Sequence, residues 1–253
     1  MCVLHQSGRE VEVLMVRRSA TARFMAGAWV FPGGVVDAAD DGAAARAAVP
    51  DMARPDLRPA LAAAFREVVE ETGIWITDEP FVELPAGGVF AIAQQRGIRF
   101  AAPRTAYFAN WITPTMVPVR FDAHFFIADL AARVAPQPDQ HEIDAAEYVT
   151  PAEALRRATA GDWLVPFPTQ RILEQLADVA SVAAALEKWR HAPVVPVQPR
   201  MEVKADGSFR VVMPDDPGFA DLADLPPDPD LLAQAAAVAA KQGRPIAEVP
   251  HEH

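Results

Sequence analysis

Arg66-Glu67-Val68-Val69-Glu70-Glu71-Thr72-Gly73-Ile74 places three carboxylates within five residues, just ahead of a glycine. At about 100° per residue, Arg66, Glu67, Glu70 and Glu71 share one face of a helix. Leu61, Phe65, Val68, Val69 and Thr72 fall on the opposite face, so one side suits a core and the other suits chemistry. Gly73 is placed to end the helix in the left-handed region. Glutamates at i, i+3 and i+4 repel one another by roughly a few tenths of a kcal/mol per pair unless a cation sits among them. Clustered carboxylate oxygens suit Mg²⁺ or Mn²⁺, whereas Zn²⁺ favours His or Cys. The bland alternative for any glutamate-rich helix is a solvated acidic face.

A second stretch lies upstream: Trp29-Val30-Phe31-Pro32-Gly33-Gly34-Val35-Val36-Asp37-Ala38-Ala39-Asp40. Gly33-Gly34 permits a tight turn with backbone N–H groups turned to a ligand. Taken together, the two stretches resemble the Nudix box: a glycine, five residues, a glutamate, seven residues, then Arg-Glu-apolar-x-Glu-Glu-x-Gly-apolar. Gly34 is the opening glycine, and Arg66 to Ile74 match the closing half at every defined position. Asp40 stands in place of the first glutamate. Residues 41–65 put 25 residues where the family's box has seven, an excess of 18. An expanded box of this kind is similar to a Nudix branch that contains acyl-CoA diphosphatases.

A narrower signature begins at Leu14. In CoA-cleaving Nudix enzymes it reads Leu-Leu-Thr-x-Arg-Ser, three residues, Arg, three residues, Gly, three residues, Phe-Pro-Gly-Gly. Leu14, Arg18, Ser19, Arg23, Gly27 and Phe31 to Gly34 match in register, while Met15 and Val16 depart from it. The chemistry is coherent, because CoA carries a diphosphate and a 3′-phosphate and arginine binds phosphate oxygens through a planar set of donors. Arg17, Arg18 and Arg23 would otherwise be ordinary surface charges.

The resemblance implies an α/β fold, a Nudix-like α/β/α sandwich with a mixed sheet, an insertion inside the box and a C-terminal appendage. It implies Mg²⁺ or Mn²⁺ on Glu67, Glu70 and Glu71, with Arg66 orienting Glu67 or another box carboxylate. It also implies hydrolysis of a nucleoside diphosphate derivative. CoA or acyl-CoA, cleaved to 3′,5′-ADP and (acyl-)phosphopantetheine, is the leading substrate. Arg18, Arg23, Gly33 and Gly34 would bind it. The base is Glu67 or a carboxylate from the acidic loop Gln137 to Thr150. Glu142 leads there, with Glu147 and Asp144 as rivals. Two alternatives are an ADP-ribose or NADH-type dinucleotide pyrophosphatase, and a non-catalytic Nudix-fold binding module, for which Asp40 is the only support. A homodimer is an expectation from the family alone.

Composition sets outer bounds. The 253 residues allow one large domain with appendages, and 51% hydrophobic content with 23% charged residues reads as globular. A net charge of −11 argues against nucleic-acid and anionic-membrane surfaces, and an anionic small-molecule substrate would need local cations, which a metal site would supply. Cys2 is the sole cysteine, so an internal disulfide is excluded and a reducing, cytoplasmic setting is expected. No transmembrane run or signal peptide is read.

Outside the box, the turn at Gln6-Ser7-Gly8 separates two strands, Val3-Leu4 and Val11 to Arg17. Residues 41–56 read as a loop with a helical turn. Asp56 is a candidate N-cap for a helix over Leu57–Thr72. Val89 to Gln95 reads as a helix ended by Gly97. Trp111 suits either a base stack or the core, and His124 reads as a structural strand residue. Thr150-Pro151-Ala152-Glu153 has the pattern of a helix start. A helix is expected over Thr169–Trp189. A catalytic domain is expected over residues 1–192, with its box insertion at 41–58. A Pro-rich boundary then leads to an appendage at 193–253, with a hairpin at Asp206-Gly207 and an Ala-rich helix over Leu231–Lys241.

Overall fold

A computed structural model describes residues 1–22, 25–50, 54–117, 120–204, 209–224 and 226. Arg23, the Asp206-Gly207 turn and the helix expected over Leu231–Lys241 lie outside the described residues. The chain divides into two units. The first comprises Met1–Ala20, Gly27–Phe108 and Phe125–Pro193; the second comprises Thr21–Ala26, Ala109–His124 and Val194–His253. The second unit begins close to the Pro-rich boundary but also takes in two earlier segments, which no change of composition marks.

The first two strands, β1 (Cys2–Ser7) and β2 (Glu10–Arg18), form a hairpin whose turn falls at Gly8-Arg9 rather than at Gln6 to Gly8. β3 (Trp29–Val30) follows. Helix α1 (Ala43–Ala48) and the box helix α2 (Arg58–Thr72) come next, then the short pair β4 (Ile74–Trp75) and β5 (Phe81–Val82). The chain continues through α3 (Val89–Arg96), β6 (Thr105–Ile112), β7 (Asp122–Asp129) and β8 (Ile143–Val149). Helices α4 (Pro151–Ala160), α5 (Phe167–Ala177) and α6 (Val182–Arg190) close the first unit. The second unit contains the hairpin strands β9 (Arg200–Val203) and β10 (Phe209–Val212), paired antiparallel.

The main sheet has the order β3-β2-β1-β7-β6, with β8 also on β2. β1 pairs antiparallel with β2 and parallel with β7, so the sheet is mixed as expected. Val13 pairs with both Leu4 and Val149, and Val16 with both Val30 and Ala146. β2 therefore carries β1 and then β3 along one edge and β8 along the other. Its Val13–Val16 stretch is fully buried.

The apolar face of α2 does what its spacing dictates. Leu61, Phe65, Val68 and Val69 are all buried in one core with Leu14, Phe126 and Tyr148 from the sheet. An aromatic layer extends that core: Phe65 stacks on Phe100 at 4.7 Å, Phe100 lies 5.8 Å from Trp75, and Trp75 lies 5.5 Å from Phe81. The indole N–H of Trp75 donates to Glu83 O at 2.9 Å, so the buried ring keeps a partner for its polar edge. Gly73 adopts φ 69°, which ends α2 where a side chain would be strained.

Several sequence expectations need correction. Asp56 does not cap α2; it sits in a 3-10 turn, Pro55–Leu57, and pairs with Arg54 at 2.7 Å. Residues 41–56 hold the true helix α1, whose Ala45 and Ala48 are small enough to be buried. The helix expected over Thr169–Trp189 is two helices. Ser181 interrupts it by accepting from Ala184 N at 3.1 Å, the competition with helix backbone that serine wins at an N-cap. Thr150 caps α4 as its pattern dictates, accepting from Glu153 N at 3.2 Å. Within the second unit, Trp111 is buried and bridges to Val197, and His124 lies on β7 at 3.8 Å from Asp122.

β3 leads the chain into Phe31 to Gly34, and it is pinned by rings. Trp29 and Trp163 stack at 4.0 Å and 10°. Arg17 lies 5.9 Å over Trp29 and Arg157 lies 4.7 Å over Trp163, which makes a four-layer cation–ring–ring–cation stack. Trp29 N donates to Leu164 O at 2.8 Å. We expect Trp163→Ala to cost about 3–5 kcal/mol of stability, from lost burial and an imperfectly closed cavity. Urea unfolding measures this, and a loss below about 1 kcal/mol, the range of a surface substitution, would show that the stack is not integral to the core.

Candidate active site

The chemical face of α2 is organised by one guanidinium. Arg66 Nε and Nη2 donate to the two carboxylate oxygens of Asp40 at 2.9 and 3.0 Å. Nη1 donates to Glu67 at 2.7 Å and to Glu70 at 2.8 Å, and Nη2 donates again to Val35 O at 2.9 Å. A guanidinium has five N–H groups, and these five bonds use them all. The Arg66 side chain is 11% exposed and Asp40 is completely buried. The bidentate contact therefore falls on Asp40, while Glu67 receives a single bond. Hydrogen bonds to Asp40, then the charge of Glu67 and the hydrogen bonds to Glu70 and Glu67, raise the Arg66 pKa further above its ordinary value, against the opposing effect of burial.

Asp40 is held from its own side as well. Asp37 N donates to Asp40 Oδ2 at 2.8 Å, and Ala39 N donates to Asp37 Oδ1 at 2.6 Å, a capping box around the 3-10 turn Ala38–Asp41. The excess residues leave and return around this clasp, so the long insertion does not disturb how the glycine loop meets the helix. Gly34 packs directly on Glu67: a Cβ built there would sit inside the Glu67 carboxylate. A side chain at this position would oblige the Glu67 carboxylate, held by Arg66, to shift.

The three glutamates differ in surroundings. Burial raises the Glu67 pKa; Arg66 opposes the shift, and Glu70 and Glu142 add to it. Glu71 is 3% exposed and receives Gly33 N at 3.1 Å. Its pKa stands well above the ordinary carboxylate value, first from burial and then from the charge of Glu67. Arg18, half-buried at the end of β2, acts on Glu71 in the opposite sense. Repulsion among Glu67 and Glu70 is thus met by Arg66 itself, and Glu71 is the carboxylate left without that help.

Of the three loop candidates, Glu142 is the one whose charge reaches Glu67. Glu147 gives both oxygens to Arg157 at 3.0 Å, and Asp144 pairs with Arg17 at 2.6 Å. Glu142 is tied to the Arg18 segment through Ser19 N to Glu142 O at 2.8 Å. Asp37 and Asp139 were not among the residues singled out from sequence. The spacing Asp37-x-x-Asp40 was the available signal for the first, and an Asp three residues before a loop glutamate for the second.

No protein-family model matches the chain. A Caenorhabditis elegans protein named "Putative nudix hydrolase 7" is 30% identical over 178 residues, covering 66% of this chain and 56% of its own length. The chain thus spans about half the length of that curated relative. The crystal structure of a Nudix hydrolase from Alicyclobacillus acidocaldarius matches with a TM-score of 0.64 at 29% identity, over 76% of this chain and 96% of the other. The chain is similar to Nudix hydrolases in sequence and in fold. Its mixed sheet with flanking helices is the Nudix fold.

Nudix hydrolases generally use divalent metal ions. The donor chemistry of this box fits a hard cation: all donors are carboxylate oxygens, and Glu67 and Glu71 are both pushed up by burial and by neighbouring charge. Each bond to Arg66 or Gly33 uses one oxygen of its glutamate. Among the described residues, no three His, Cys, Asp or Glu side chains are already gathered as a complete ligand set.

The raised Glu71 pKa has a thermodynamic sign. An acid whose folded pKa exceeds its unfolded value keeps its proton longer when folded, so stability falls as pH rises between the two values. In chelator, we expect the protein to lose thermal stability as pH rises above the ordinary carboxylate range of about 4–5. Glu71→Gln is expected to be more stable than the parent at neutral pH, with the difference closing below that range. Parallel curves across pH would remove Glu71 as the source.

Proposed function

We propose that this chain is a Nudix hydrolase, a metal-dependent diphosphatase that cleaves a nucleoside diphosphate derivative, with CoA or acyl-CoA as its substrate. The observation that carries the reaction class is the convergence of Glu67 and Glu70 on Arg66 of α2, with buried Glu71 in reach of the Glu67 charge and the exposed Glu142 in electrostatic reach of Glu67. The substrate rests on the register of Arg18, Ser19, Arg23 and Gly27 ahead of Phe31 to Gly34.

Glu67, Glu70 and Glu71 would hold a Mg²⁺ or Mn²⁺ ion, which would supply charge neutralisation at the diphosphate and a lowered pKa for water. The residues of the chain do the rest. Arg66 holds Glu67 and Glu70 in place from behind. Gly34 admits the Glu67 carboxylate, and Gly33 N fixes one oxygen of Glu71. Arg18 and Arg23 bind phosphate oxygens. Glu142 takes a proton from the attacking water as its oxygen bonds to phosphorus and the P–O–P bridge breaks. The products are 3′,5′-ADP and (acyl-)phosphopantetheine.

A mass-spectrometric product assay with Mg²⁺ or Mn²⁺ tests this on CoA, an acyl-CoA, ADP-ribose, NADH and a diadenosine polyphosphate. 3′,5′-ADP is expected from the CoA substrates; cleavage of ADP-ribose or NADH alone would discard the CoA assignment and keep the chemistry. Glu70→Gln is expected to lower kcat by at least about 10²-fold, on the scale of losing one transition-state electrostatic contact, with the fold intact. Undiminished turnover in that variant would overturn the site.

A further inference from the structure

Glu142 is an exposed loop residue, yet a group that exchanges a proton with substrate must be held closely: a misplacement of 1 Å can cost about 10²-fold in rate. The stretch that holds it starts at the C-terminal turn of α2. The last carbonyls of a helix have no partner within the helix. Here Thr72 O accepts from Gln137 N at 2.8 Å and Glu71 O accepts from Asp139 N at 3.2 Å. The Asp139 side chain then gathers the amides of His141, Glu142 and Ile143. Its Oδ1 accepts from His141 N at 3.2 Å, Glu142 N at 3.2 Å and Ile143 N at 2.9 Å, and its Oδ2 accepts from Glu142 N at 3.2 Å. Gln140 adopts φ 63° inside this turn, and its N donates to Ile143 O at 3.0 Å. On the far side, Glu142 O is fixed by Ser19 N.

We propose that Asp139 is a positioning residue for Glu142, locking the turn that carries this carboxylate onto the end of the box helix. The proposal rests on the reading of Glu142 as the base. The Asp139 side chain acts through the three amides it collects. Alanine removes all three contacts, whereas asparagine keeps an Oδ1 that can accept them.

The test combines rate and amide exchange on the full chain. With CoA and Mg²⁺, Asp139→Ala is expected to lower kcat by about 10²-fold with KM unchanged, while Asp139→Asn stays near the parent. Asp139→Ala together with Glu142→Gln is expected to be no slower than Glu142→Gln alone, because a misplaced base and an absent base lose the same step. Hydrogen–deuterium exchange at His141 to Ile143 reads the turn without turnover: protection is expected to vanish in Asp139→Ala and persist in Asp139→Asn. Unchanged protection in the alanine variant overturns the proposal, as does an asparagine variant as impaired as alanine. A further loss in the double variant also overturns it. A parent-like Glu142→Gln rejects Glu142 as base, and the positioning role falls with it. An impaired Glu142→Gln beside a parent-like Asp139→Ala rejects the positioning role alone.

Discussion

Arg66 spends every N–H of its guanidinium on the box. Asp40 takes a two-pronged bond, Glu67 and Glu70 take one each, and the carbonyl of Val35 takes the last. A buried carboxylate such as Asp40 is costly without a partner, and removing one member of a buried pair leaves the other exposed to the full desolvation penalty. The same guanidinium thus makes the burial of Asp40 tolerable, sets the glycine loop against α2 and holds two glutamates at the surface of the site. A lysine could supply the charge but not the planar set of five donors.

Glu71 joins the box to the loop that carries Glu142. Its carboxylate faces Gly33, and its main-chain oxygen receives Asp139 N. The end of α2 is therefore shared by the box and the loop. The burial that raises the Glu71 pKa comes from the same crowding. A site of this kind trades comfortable ionisation for a fixed arrangement of oxygens, and a divalent ion is the natural counterweight.

Local patterns were legible where one segment sufficed. The two faces of α2, the left-handed end at Gly73 and the cap at Thr150 all follow from residue type and spacing. The break at Ser181 was lost because the apolar recurrence of Ile172, Leu173, Leu176, Val179 and Val182 runs straight across it. Long-range partners were not legible either. Arg17 pairs with Asp144 and Arg157 with Glu147, and neither pairing has a mark in sequence. The cation needed among the glutamates was written inside the motif, yet only geometry shows Arg66 reaching two of them at once.

The clasp between Asp40 and Arg66 also changes what a spacing means. It closes a ring of chain, and the entropy of closing a flexible ring grows only with the logarithm of its length. Lengthening the segment from seven to 25 residues costs roughly 1 kcal/mol on that scale, an amount that α1, packed through Ala45 and Ala48, can offset. The count of residues between the two halves is then a nearly free variable for evolution, while the ion pair that seals it is not. A pattern written with a fixed gap would pass this chain by; one written in three dimensions, as two clamped ends with any cargo between them, would find it.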